Sequence, residues 1–376
     1  MPLIPVPIQA PTVIHVLLLM VVAIAATLAV TPVVRDLSIR AKLMDKPGAR
    51  KVHTTAVPRL GGIGIMAGFT AAMLVELAGE QWLGWPGVLL LGDGQVLGTT
   101  FGVAVVFFVG LVDDLRGMRA RTKFAGQLLA AVVTISFGLK IDFFANPFGG
   151  GRLPLDWLGY PLTALWLVGF ANVFNLIDGL DGLAAGVAAI AAASFLALAM
   201  DMNQAIAAVL AVGVIGGCIG FLRYNFNPAS IYMGDSGALS IGFALGCVSL
   251  TGVMKSAAAI SLVAPLLIIG VPLFDTASAI IRRRMHGRPI HEADNGHIHH
   301  RLLHRGFSQR QTVLLIYAWS AALAVGGYAM RDEILPSPLA RLAVLTFLLG
   351  LSVLLARRLG LFSAARVHGD GVNPRD

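Results

Sequence analysis

The chain has 376 residues, of which 57% are hydrophobic and only 13% charged, with a mean hydropathy of +0.80. A water-soluble domain carries about 25% charged residues, so a soluble fold of this composition could not cover its own exterior; disorder, a secreted disulfide scaffold and most soluble enzyme folds are excluded. In so apolar a chain the net charge of +8 reads as orientation in a membrane rather than affinity for nucleic acid.

A bilayer core of about 30 Å needs about 20 apolar residues of helix. Runs near that length are predicted over 13–34, 61–79, 88–112, 124–139, 157–176, 183–200, 205–222, 237–253, 257–281, 313–330 and 339–356. They predict an all-α integral membrane protein, a polytopic bundle of about 11 transmembrane helices, with a single membrane domain over 1–356 and a short tail over 357–376. No Lys or Arg precedes Arg35, so the first run lacks the basic start of a signal peptide and is expected to remain as a transmembrane helix. Cys218 and Cys247 both fall inside apolar runs and read as small core residues.

The loops alternate in charge. Of the 28 Lys and Arg, 23 fall on one set of loops and the tail, from Arg35 to Arg59, Arg116 to Lys123, Arg223, Arg282 to Arg310 and beyond Arg357. Only Lys140, Arg152, Lys255, Arg331 and Arg341 fall on the other. The basic side is therefore expected to be cytoplasmic, with the N-terminus outside and the C-terminus inside. The outer loop 140–155, with Phe143, Phe144 and three consecutive glycines, is predicted to form a hairpin.

Four sparse polar clusters fall on the inner side. Asp113-Asp114 ends the third span and is followed by Arg116, Arg119, Arg121 and Lys123. Adjacent carboxylates at a membrane boundary repel and lose hydration, which a divalent cation or a basic cluster relieves; a solvated helix end is the plain alternative. Next, Asn172, Asn175 and Asp178 recur at a spacing of three, on one helix face. With Asp181 and the neighbouring glycines they suit a hard cation such as Mg²⁺, and the spacing of an EF-hand is absent.

Tyr232-Met233-Gly234-Asp235-Ser236-Gly237 opens the eighth span. Asp235 then lies at a helix N-terminus, where free N–H groups favour phosphate, or where an Asp simply caps. The longest inner loop carries His286, His291, His297, His299, His300 and His304. A zinc site there would lack Cys and the H-E-x-x-H pattern; a basic loop facing lipid headgroups is a second alternative. Otherwise the loop supplies cations and donors to a phosphorylated ligand. Glu76 and Asp275 are the acids placed well within spans, and Asp275 is expected either to approach the site or to pair with an inner Arg. No Walker A sequence occurs, and Gly61-Gly62-Ile63-Gly64 reads as helix-packing glycine. Convergence of the four clusters on one face predicts a metal-assisted site joining a soluble phosphorylated substrate to a lipid one. A transporter would place its polar residues near the bilayer midplane, often in inverted repeats, and an inactive scaffold would not need paired Asp and a His run.

In order along the chain, Arg50-Lys51-Val52-His53, Pro58-Arg59-Leu60-Gly61-Gly62, Val112-Asp113-Asp114 with Lys123, Asn175-Leu176-Ile177-Asp178-Gly179-Leu180-Asp181-Gly182, Met233-Gly234-Asp235-Ser236-Gly237, Phe274-Asp275-Thr276 and His297-Ile298-His299-His300-Arg301-Leu302 closely resemble the polyprenyl-phosphate N-acetylhexosamine-1-phosphate transferases. The H-x-H-H-R-L ending is similar to the undecaprenyl-phosphate N-acetylglucosamine-1-phosphate transferase branch; the muramyl-pentapeptide branch is the nearest alternative. The resemblance implies that undecaprenyl phosphate attacks the sugar-bearing phosphorus of a UDP-N-acetylhexosamine and releases UMP at the cytoplasmic face of the bacterial inner membrane. It implies that Asp235 and Asn175 hold Mg²⁺ or Mn²⁺ on the diphosphate, that Lys123 steadies phosphate oxygens, and that Tyr232 stacks on uracil. Asp113 and Asp114 would orient or deprotonate the lipid phosphate, with Asp178 and Asp181 completing the acidic lining. His297, His299, His300 and Arg301 would grip the sugar phosphate, and Lys51 and Asn172 complete the expected substrate-binding set. Membrane lipids and a second copy of the chain are the remaining expected partners.

Overall fold

The computed structural model describes residues 11–45, 56–85, 87–89, 94–145, 152–252, 263–285, 287, 296–331 and 333–359. The chain runs as helices α1 (Val13–Arg40), α2 (Gly62–Trp82), α3 (Gln95–Arg116), α4 (Ala120–Ser136), α5 (Gly159–Ile177), α6 (Leu183–Asp201), α7 (Ala205–Asn225) and α8 (Gly234–Thr251), then α9 (Val263–Ile268), α10 (Gly270–Met285), α11 (Ile298–His304), α12 (Gln309–Ala329) and α13 (Pro338–Leu359). Among the described residues, eight helices are long and apolar enough to cross a membrane: α1, α2, α3, α5 with the turn before it, α6, α7, α12 and α13. The protein is an all-α, multi-pass membrane protein.

Each predicted run meets a helix, with two instructive differences. The run 88–112 becomes α3 at Gln95–Arg116, because Gly94 at φ +73° starts the helix late and the backbone stays helical through Asp113 and Asp114. Of the run 257–281, residues 257–262 lie outside the described residues and the rest meets α9 and α10, with the break at Ile269. Pro272 supplies the reason: its ring cannot fit against the carbonyl four residues earlier and it has no N–H to give, so α9 stops at that residue, Ile268. The 140–155 loop does form a hairpin, β3 (Phe143–Ala145) pairing antiparallel with β4 (Arg152–Pro154). A second pair joins β1 (Met44–Asp45) to β2 (Val57–Pro58).

The centre of the bundle is α7, packed against α1, α2, α6 and α8. It is apolar on every side, and nearly its whole length is buried, as expected of a helix with no lipid-facing stripe. Helix α8 lies beside it, buried from Ser236 to Thr251, and also touches α3 and α5. The starts of α2 and α8 meet so closely that a Cβ on Gly62 would fall 2.3 Å from the Gly237 nitrogen, the approach that only small residues permit. Glu76, fully buried in α2, is bonded by the His15 ring of α1, so the acid that looked out of place in a span is paired. Cys218 and Cys247 are both free and buried.

Candidate active site

The packing of α8 against α3 and α5 brings the C-terminal ends of α3 and α5 to the N-terminal end of α8. Asp114, only 5% exposed, accepts from the Asp235 and Ser236 backbone nitrogens at 2.8 and 2.9 Å and from Ser236 Oγ at 2.6 Å. It therefore takes up two of the N–H groups that a helix start leaves without partners. The neighbouring Asp113 accepts from the Met118 nitrogen at 2.6 Å and lies 2.9 Å from Lys123 Nζ of α4. That ammonium also donates to Asp235 Oδ2, while Asn175 Nδ2 donates to Asp235 Oδ1 at 2.7 Å. One ammonium thus bridges two carboxylates from α3 and α8, and α5 closes the group with an amide.

Beside this group opens a cavity of about 690 Å³, within the size range of small-molecule sites. Its wall includes six carboxylates, those of Asp45, Asp113, Asp114, Asp178, Asp181 and Asp235, together with Arg59, Asn175, Tyr232 and His300. Crowding of acids has a consequence at Asp178, which ends α5. Burial, and then the charges of Asp235, Asp114 and Asp181, push its carboxyl up to about 7. Asp181 is tied down instead: its Oδ2 accepts from Asn227 Nδ2 and from the Ala229 nitrogen, both at 3.0 Å. Tyr232 is fixed by its backbone, which donates to the Pro58 carbonyl and accepts from the Gly61 nitrogen. Burial raises its phenol above the usual range, so the ring enters the wall neutral.

The His run is split by depth. His300 lines the cavity. His299 is buried, and burial followed by the charge of His300 lowers its imidazole to about 3; it is neutral, and its Nδ1 has no hydrogen-bond partner among the described residues. His297 is buried and holds the Asp275 carboxylate at 2.9 Å. Arg301 Nε donates to the Gly296 carbonyl at 3.0 Å and does not line the cavity. Nor does Asn172, whose amide donates to Gln127 Oε1 at 2.5 Å and to the Val168 carbonyl at 2.8 Å, fastening α5 to α4. Lys51, with Arg50, His53, His286 and His291, lies outside the described residues.

Sequence reasoning gave no role to Arg59, Asn225 or Asn227. Asn225, at the end of α7 and 3% exposed, accepts from the Gly182 nitrogen at 3.0 Å and donates to the Ile231 carbonyl at 2.9 Å. It holds together the two loops that carry Asp181 and Tyr232. The signal was a polar residue closing a helix that is apolar up to Leu222, just before Asn227-Pro228.

Among the described residues no three His, Cys, Asp or Glu form a ready cage for a metal. A cage is not what Mg²⁺ requires, since it is usually bound by one or two carboxylates together with substrate phosphates and water. Asp235 offers a carboxylate. The amide of Asn175 is turned so that its nitrogen faces Asp235, leaving its carbonyl oxygen as the donor. These groups fit an ion carried on a diphosphate.

The fold and the site together define an all-α membrane protein with an acid-lined cavity at one end of its bundle, one ammonium among the acids and an imidazole at the wall. A sequence profile described as Glycosyl transferase family 4 matches residues 96–253. The chain is similar to the probable undecaprenyl-phosphate N-acetylglucosaminyl 1-phosphate transferase of Bacillus subtilis, at 40% identity over 85% of this chain and 86% of that one. It is 38% identical to the decaprenyl-phosphate N-acetylglucosaminephosphotransferase of Mycolicibacterium smegmatis, over 78% of this chain and 76% of that one. It is 36% identical to the phospho-N-acetylmuramoyl-pentapeptide-transferase of Desulforudis audaxviator, over 82% of this chain and 96% of that one. The chain belongs to the polyprenyl-phosphate N-acetylhexosamine-1-phosphate transferase family.

Proposed function

We propose that the protein transfers N-acetylglucosamine-1-phosphate from UDP-N-acetylglucosamine to undecaprenyl phosphate, releasing UMP and starting a lipid-linked envelope glycan. The observation that carries this reading is the junction of Asp113, Lys123, Asn175 and Asp235 beside a cavity large enough for a nucleotide sugar. A terminal oxygen of the lipid phosphate forms a new bond to the sugar-bearing phosphorus. The bond from that phosphorus to the bridging oxygen breaks, and UMP leaves with the electron pair.

Such a transfer is mostly positioning and charge compensation. Lys123, already neutralising Asp113 and Asp235, moves its charge onto phosphate oxygens. Tyr232 presents its neutral ring to the base, and Asp181 remains a fixed acceptor at the same wall. Asp113 orients the lipid phosphate; because the second ionisation of a phosphate lies near 6, little base strength is required of it. His300 faces the sugar phosphate. Asp235 and the Asn175 carbonyl would hold Mg²⁺, which when bound neutralises the diphosphate and makes its phosphorus more electrophilic.

The wider arrangement follows the loop charges. Eleven crossings, counting α4, α8 and the α9–α10 pair, form one catalytic domain. On the loop charges the N-terminus is outside, the tail inside, and the cavity at the cytoplasmic face of a bacterial inner membrane. Purified in detergent, the protein is expected to release UMP from UDP-N-acetylglucosamine only when a polyprenyl phosphate and Mg²⁺ are both present. Release that persists in EDTA removes the metal from the reading, and release from UDP-N-acetylmuramoyl-pentapeptide alone reassigns the sugar.

A further inference from the structure

Asp275 sits in α10, 2% exposed, and is not among the cavity-lining residues. Both of its carboxylate oxygens are engaged by the start of α11. Oδ2 lies 2.9 Å from His297 Nδ1, and Oδ1 accepts from the Ile298 nitrogen at 2.8 Å. A carboxylate only accepts, so His297 carries its proton on Nδ1. His297 is the N-cap of α11, and its own side chain makes no capping bond. Asp275 thus supplies, from another helix, an acceptor for the first of the amides that a helix start leaves without partners.

From that anchor an imidazole series leads to the cavity. The rings of His297 and His299 lie nearly parallel, with centroids 5.7 Å apart, and His299 and His300 follow at 4.3 Å. His299 presses so closely on the loop after Asp178 that a Cβ on Gly179 would lie 2.5 Å from its Nε2. The seven residues of α11 are too few to hold a helix by themselves, so its placement depends on such fixings.

We propose that Asp275 is a positioning residue: by holding His297 and the first amide of α11 it keeps His300 turned into the cavity. This rests on the transfer reading above for what His300 does there, but the placement itself can be tested without turnover. The first arm is a double-mutant cycle on UMP release by the full chain in detergent. Asp275→Asn is expected to lower kcat by roughly tenfold or more, as a small misplacement of a reacting group does. The pair Asp275→Asn with His300→Ala is expected to fall no further than His300→Ala alone. Losses that multiply would overturn the proposal, because Asp275 would then act by some route other than His300.

The second arm needs no activity. Both native cysteines are buried, so a soluble thiol reagent reports the thiol introduced by His300→Cys. Adding Asp275→Asn is expected to change its labelling rate several-fold, and Asp275→Glu to restore it in part. An unchanged rate overturns the proposal even if the protein releases no UMP, an outcome that would by itself sink only the transfer reading. Should Asp275→Asn show no cooperative melting, His297→Phe, which removes one of the two bonds, replaces it in both arms with the same expectations.

Discussion

At Asp178 a carboxyl that ionises near 3.8 in an unfolded chain is pushed up to about 7 in the folded one. The sign of the stability effect follows from linkage. The folded state prefers the protonated form, so this contribution to stability is fully present below about 3.8 and is lost as pH rises through about 7. Asp178→Asn keeps the uncharged shape and removes the loss. Its melting temperature is expected to exceed that of the native protein by more at pH 8 than at pH 5, while turnover falls; an equal gap at both values would show that the acid is not strained by its neighbours. Such an exchange of stability for function is common where like charges are gathered. Asp235→Asn gives the complementary case. It keeps an acceptor for Lys123 and removes a charge, so turnover is expected to drop by roughly tenfold or more with the melting transition in place; near-normal turnover would remove Asp235 from the chemistry.

At the scale of elements, the start of α8 is the joint on which the site turns. Gly234 has φ +73°, and a Cβ there would lie 2.3 Å from the Arg59 carbonyl oxygen. Gly234→Ala therefore combines a left-handed backbone penalty of about 1–2 kcal/mol with a collision against backbone. It is expected to lower both melting temperature and turnover, and a variant that melts like the native protein would show that the joint can relax. Asp114→Asn belongs to the same class, because one amide cannot accept what the carboxylate accepts from Asp235 and Ser236. The helices themselves were legible: runs of about 20 apolar residues force α-helix in lipid, where backbone groups must pair within the segment. Their ends were less so: the apolar run stops at residue 112, yet α3 continues through Asp113 and Asp114 to Arg116. The acids, amides and imidazoles stood out because polar residues are scarce in this chain. Their partnerships did not: the bond from Lys123 to Asp235 spans 112 positions, and nothing local to either residue announces it. Asn172 shares the i, i+3 pattern of Asn175 but faces Gln127, a distinction set by the neighbouring helix.

For the molecule as a whole, the loop charges and the helix order make a joint prediction about sidedness. Ser308 precedes α12 and Ser337 precedes α13, both exposed, and α12 lies between them. Ser308→Cys is expected to react only with reagent that has reached the cytoplasm, and Ser337→Cys with reagent applied outside; the reverse result inverts the whole arrangement. The same long-range pairing bears on how the molecule is made. Asp114 leaves the ribosome 121 residues ahead of Asp235, a delay on the order of ten seconds at ordinary elongation rates. During that interval the end of α3 has no helix start to bind. A newly inserted intermediate must keep this carboxylate wet at the bilayer edge until α8 arrives, and quality-control proteases would meet their best opportunity in that window.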